Sequence, residues 1–96
     1  MLFQFKADTS PDQVVALRDG LLALPASIPD IHRLNFGPNL AVGADEWPWV
    51  LVVELGDMGA LARYADHPAH RRVLDHLLNP IRQDRLAVDL EIPDGG

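Results

Sequence analysis

The segment Tyr64-Ala65-Asp66-His67-Pro68-Ala69-His70 carries the residue types best suited to chemistry in this chain. A tyrosine hydroxyl can donate a hydrogen bond to a substrate oxygen, and an imidazole can take a proton near neutral pH. Together they make a minimal pair for abstracting a proton beside a carbonyl, with histidine as base and tyrosine polarising the oxygen. Pro68 divides the segment, so that one helix ends before it and a second starts at it. On that second helix His70 lies four residues before Leu74, and Leu77, Leu78 and Ile81 extend the same apolar stripe. His70 is therefore expected to face inward. Tyr64 sits at the edge of the stripe of Met58, Leu61 and Ala65 and is expected to be half buried.

An inward imidazole needs partners for its ring nitrogens. Asp89 is the candidate acceptor for one nitrogen, which would leave the other free as a base. The same pattern also fits a hydrogen-bonded core histidine and a core tyrosine, with Asp89 paired to an arginine. His67 and His70 have the spacing of two metal ligands on one helix face. No third ligand is near in sequence and His67 falls at the helix start, so no metal is expected. His32 shares a predicted strand face with Leu34 and Phe36, and His76 falls on the solvent side of its helix.

The elements that position these residues read as β-α-β-β-α-β. Met1 to Lys6 alternates Phe3 and Phe5 with Gln4 and Lys6, a strand pattern. Ser10-Pro11-Asp12-Gln13 spells a helix start with a capping box and proline in the first turn. Val14, Leu17, Leu21 and Leu24 follow at helical spacing, interrupted by Gly20, and Pro25 and Pro29 end the helix. Ile31 to Gly37 and Trp49 to Leu55 read as strands. The latter is apolar on both faces, with Trp49, Leu51, Val53 and Leu55 on one side and Val50 and Val52 on the other. Asp57 caps a helix from Met58 to Ala65, and Pro68 starts another that runs to Leu78. Leu86, Val88, Leu90 and Ile92 alternate in a final strand, before a tail from Pro93. This order predicts an α+β, ferredoxin-like fold: one domain over residues 1–96, a four-stranded antiparallel sheet, and helices on one face. Helices on one face leave the other apolar side of the third strand in water, so a symmetric homodimer joined through its sheets is expected.

Composition excludes several classes. Hydrophobic residues make up 48% of the 96, enough for a packed core. There is no cysteine, which removes disulfides and thiolate zinc sites. A net charge of −6 disfavours nucleic acid, although five of the eight basic residues fall between Arg63 and Arg85. They are interleaved with Asp66, Asp75 and Asp84, as on a solvated helical face. No run of about 18 apolar residues spans a membrane. The chain opens directly into a strand-like run, which reads as cytoplasmic.

Phe3-Gln4-Phe5-Lys6, Val52-Val53-Glu54-Leu55, Tyr64 through His70 and Ala87-Val88-Asp89 occur in an order that resembles the stress-responsive A/B barrel (Dabb) family. Tyr-x-x-His-Pro-x-His is the most specific of these pieces. The resemblance implies a dimeric α+β barrel. The family contains heat-stable plant proteins without an agreed catalytic role and a plant polyketide cyclase. The tyrosine and second histidine of that cyclase, supported by a C-terminal aspartate, match Tyr64, His70 and Asp89. The activity so implied is aldol-type ring closure of a poly-β-keto chain without a cofactor. Trp49 stands where the cyclase has a histidine and offers an apolar wall. Trp49, Phe5 and Leu74 are the expected substrate contacts. Two functions follow as expectations: a cofactor-free enzyme or binder for a hydrophobic carbonyl compound, or a non-enzymatic dimeric stress protein. A cofactor-free monooxygenase is a variant of the first.

Overall fold

Ser10 starts the first helix as its sequence predicts. Its hydroxyl accepts from the Gln13 N–H at 3.2 Å, and the Gln13 side chain accepts from the Ser10 N–H at 2.8 Å. Two otherwise unpaired amides are thereby satisfied. The computed structural model describes residues 1–41 and 46–90. Within them β1 is Leu2–Phe5, α1 Pro11–Leu22, α2 Leu24–Ser27, β2 Ile31–Pro38, β3 Trp49–Leu55, α3 Met58–Asp66, α4 Pro68–Val73 and β4 Arg82–Leu86. Pro25 does not simply end the first helix. It lies in the first turn of the short α2, where a missing N–H costs nothing.

The four strands form one antiparallel sheet in the order β2-β3-β1-β4, the ferredoxin-like βαββαβ arrangement that the element order predicts. Cross-strand neighbours define its faces. Phe3 lies opposite Trp49, Phe36 opposite Leu51 and Leu34 opposite Val53. This side packs against the helices, where Phe3, Leu34 and Leu51 join Leu17, Leu21, Tyr64, Val73 and Leu78 in one core. Leu2, paired with both Val50 and Leu86, marks the other side. There Val52 is 56% and Leu86 44% exposed, so the second apolar face has no cover among the described residues.

Two expectations are corrected. The register of β2 slips between Ile31 and Arg33, which buries both Ile31 and Leu34 and turns His32 out to solvent. A bulge breaks the two-residue alternation, so His32 does not share a face with Leu34. The last strand also lies earlier than expected. It pairs Leu86 with Leu2 and Arg82 with Phe5, and Ala87–Leu90 continues without strand pairing, because the four residues of β1 are by then used. Ile92 lies outside the described residues.

Beyond Val73 the helix widens to one π turn over Leu74–Leu78, closed by the Asn79 N–H donating to the Leu74 carbonyl at 2.7 Å. This turn packs against α1 at Gly20, where a Cβ would lie 2.5 Å from Leu77 Cδ1. Close approach of the two helices accounts for a glycine inside α1 despite a propensity cost of about 1 kcal/mol. Among the described residues no helix is long and apolar enough to cross a membrane.

Candidate functional site

A joint between two helices builds the site. Asp57 caps α3 by accepting from the Ala60 N–H at 2.7 Å. The helix stops at Asp66 because Pro68 has no N–H to offer. His67 then caps α4: its Nδ1 accepts from the Ala69 N–H at 3.1 Å. His67 itself is extended and ends α3, so the Ala65 carbonyl lies in the last turn of that helix, where carbonyls have no intrahelical partner. His70 Nδ1 lies 3.1 Å from it. A carbonyl only accepts, so Nδ1 carries the proton and Nε2 of the neutral ring is left with its lone pair. Replacing His67 with alanine should cost about 1 kcal/mol in chemical denaturation, while asparagine should keep most of the cap. Equal stability of the alanine variant and the parent would contradict this role.

Tyr64, from the last turns of α3, meets His70 across the joint, with ring centroids 4.2 Å apart at 44°. Both side chains are buried, at 7% and 9% exposure, so Tyr64 is deeper than its edge position predicts. Burial pushes the Tyr64 phenol up to about 12. Burial also holds His70 below the ordinary imidazole range. The bond to Ala65 opposes that shift, and the charges of Arg85, Arg71 and His67 add to it. Both groups are therefore neutral at pH 7, the phenol as a donor and the imidazole as a base.

The linkage signs differ. The folded-state value of His70 is depressed, so its contribution to stability is complete above about 6.5 and is lost as pH falls through the folded value. The folded-state value of Tyr64 is raised, so its contribution is present below pH 10 and is lost as pH rises towards 12. Tyr64 is the sole tyrosine of the chain. Tyrosinate absorbance in an alkaline titration of the folded protein should therefore show one midpoint near 12. A midpoint at 10 would mean an exposed phenol.

Tyr64 also lines an apolar cavity of about 100 Å³ with Leu51, Val53, Leu55 and Leu61, closed on one side by Ala87, Val88 and Asp89. The structure thus brings Asp89 to the cavity of Tyr64 and gives the Nδ1 bond of His70 to Ala65. The charge of Asp89 acts on the amino group of Met1, which donates to the Leu51 carbonyl at 2.7 Å. Phe5 and Trp49 are not in this cavity. They line a separate groove of about 500 Å³ beside the start of α1. Leu74 packs, half-buried, against the core. The expected single set of substrate contacts is therefore divided between two places. Leu61 and Val53 belong to the cavity but carry no chemical signal in sequence. Among the described residues no cluster of three His, Cys, Asp or Glu side chains could hold a metal ion.

A four-stranded antiparallel sheet in this order, with one face left apolar and open, defines a ferredoxin-like α+β protein. Solved structures with this fold include a dimeric ferredoxin-like protein of unknown function from Thermobifida fusca. It is 34% identical, with a TM-score of 0.78, over 91% of this chain and 81% of that one. A second dimeric ferredoxin-like protein of unknown function, from Jannaschia, is 25% identical, with a TM-score of 0.79 over 95% of this chain and 93% of that one. A Dabb family protein from Mesorhizobium loti shares the fold at 18% identity, with a TM-score of 0.74 over 94% of this chain and 92% of that one. No curated protein matches the sequence. The chain belongs to the stress responsive A/B barrel (Dabb) family, whose model matches residues 1–92. Relatives described as dimers support self-association, and none of these comparisons establishes a specific activity.

Proposed function

We propose that this Dabb protein is a cofactor-free enzyme or binder for a small hydrophobic carbonyl compound, with His70 as general base and Tyr64 as donor to the carbonyl oxygen. The observation that carries this reading is the contact of two neutral, buried rings, one of which lines an apolar cavity. Nε2 of His70 would take a proton from the carbon beside the carbonyl, while the Tyr64 hydroxyl holds the developing enolate oxygen. Attack of that carbon on a second carbonyl of the same molecule would form the ring bond. The imidazolium would then return its proton to the new alkoxide, so nothing is consumed. A cavity of about 100 Å³ takes only a small compound or the reacting end of a larger one. Asp89 stands at its edge.

The non-enzymatic reading, a dimeric stress or stability protein without a substrate, draws on one observation: His70 is only 9% exposed and is satisfied by its own helix joint. Titration with short-chain methyl ketones, followed by NMR, separates the two. The first reading predicts saturable shifts around Tyr64 and Leu61 that disappear in a folded Tyr64→Phe variant. The second predicts no saturable shift, with His70→Ala lowering only the melting temperature.

Self-association is placed on the open sheet face formed by Leu2, Val50, Val52 and Leu86, by isologous packing of two sheets. Light scattering at micromolar concentration should give a dimer. Val52→Asp should give a folded monomer, because it sets two like charges into an apolar interface. A dimeric Val52→Asp variant would exclude this face. The reading also places the protein in the cytoplasm, with itself and a small ligand as partners and neither nucleic acid nor membrane. The net charge of −6 supports the exclusion of nucleic acid.

A further inference from the structure

We infer that the groove between Trp49 and the start of α1 is a second binding site, for a flat apolar compound bearing a carboxylate, distinct from the cavity of Tyr64. Its volume of about 500 Å³ lies in the range of small-ligand sites. One wall is aromatic and firmly held. Phe5 and Trp49 lie 6.1 Å apart, with Phe36 stacked on Trp49 at 5.4 Å and 10°. Phe3 stacks on Phe5 at 6.1 Å and is itself buried in the core. Phe5 and Trp49 are only half-buried, so ring surface remains for a ligand to cover. Val15 contributes to the opposite wall and is 42% exposed, large for a branched apolar side chain.

Charge decides what such a ligand carries. In a chain of net charge −6, the described residues that line this groove include Lys6 and no carboxylate. Among the described residues no acidic side chain pairs with Lys6. A cation stacked on Trp49 would be repelled by Lys6, whereas an anion would be held. Thr9 adds a second polar signal. Its hydroxyl is buried with no hydrogen-bond partner among the described residues, an unfavourable arrangement that a ligand acceptor would relieve. Thr9 lines the groove, so a change of χ1 rotamer can offer this hydroxyl as a donor to an incoming carboxylate.

The test is an NMR titration of the isotope-labelled protein with 2-naphthoate, 2-naphthalenemethanol and 2-naphthylmethylammonium. The site predicts saturable shifts at Lys6, Thr9, Val15 and the Trp49 indole, with the acid binding more tightly than the alcohol and the ammonium binding least. Lys6→Gln should weaken naphthoate about fivefold and leave the alcohol unchanged. Val15→Glu, on an exposed wall, should weaken naphthoate at least as much. Tyr64→Phe should change neither affinity. Absence of saturable shifts, shifts centred on Tyr64 and Leu61, or indifference of naphthoate to Lys6→Gln would each overturn the proposal. Because no Tyr64 or His70 chemistry enters it, its failure leaves the proposed activity standing, and the reverse holds.

Discussion

Replacing Phe3 with alanine is expected to lower stability by about 3–5 kcal/mol, the cost of emptying a buried phenylalanine site. Phe3 is 1% exposed and lies opposite both Trp49 and Arg85, on a strand held between β3 and β4. Its ring meets Phe5 and Phe36, so the void would open where sheet and helices share the core. Domains of this size hold roughly 5–14 kcal/mol in total, which makes the loss a large fraction of the whole. Urea denaturation should show the midpoint falling sharply, with part of the population unfolded before denaturant is added. Phe5→Ala, at a half-buried position on the groove, should cost clearly less. A Phe3→Ala loss below about 1 kcal/mol would mean that the core is centred elsewhere.

Much of this arrangement is legible in residue types alone. The capping box of Ser10 and Gln13, the cap at Asp57 and the break at Pro68 depend on neighbours within four residues, and each forms as spelled. His70 does face inward, with Val73 as its buried neighbour on α4, although Leu74, Leu77 and Leu78, from which its phase is read, fall in the π turn. What was not legible depends on pairing across the sheet. The bulge that turns His32 outward is set by how β2 meets β3, which no local pattern records. The position of Asp89 depends on where β4 stops pairing with β1, and that placed it beside Tyr64 instead of His70. Phe5 and Trp49 have the apolar character of substrate contacts, and sequence could not say that they face a different opening from Tyr64. The actual partner of His70 is a backbone carbonyl, invisible in any side-chain search. It is available because α3 ends at His67, which leaves the carbonyls of its last turn without helical partners.

The second large effect concerns His70 itself. As general base it should contribute about 10²–10⁴-fold to proton abstraction. His70→Gln removes the base while keeping a polar side chain of similar reach at the joint, so the fold should survive. Tyr64→Phe keeps the ring contact and removes only the donor, and should cost a smaller factor of about ten to a hundred. In the parent protein the rate should rise with pH as His70 loses its proton, with a midpoint below the ordinary 6.5, because burial favours the neutral ring.

Deuterium uptake at the carbons beside the carbonyl of 2-pentanone, in heavy water with the folded protein, measures that step without requiring the natural substrate. Uptake should exceed the buffer rate in the parent protein and fall to the buffer rate in His70→Gln. Uptake at the buffer rate in the parent protein, or equal uptake in parent and His70→Gln, would contradict a catalytic base at His70.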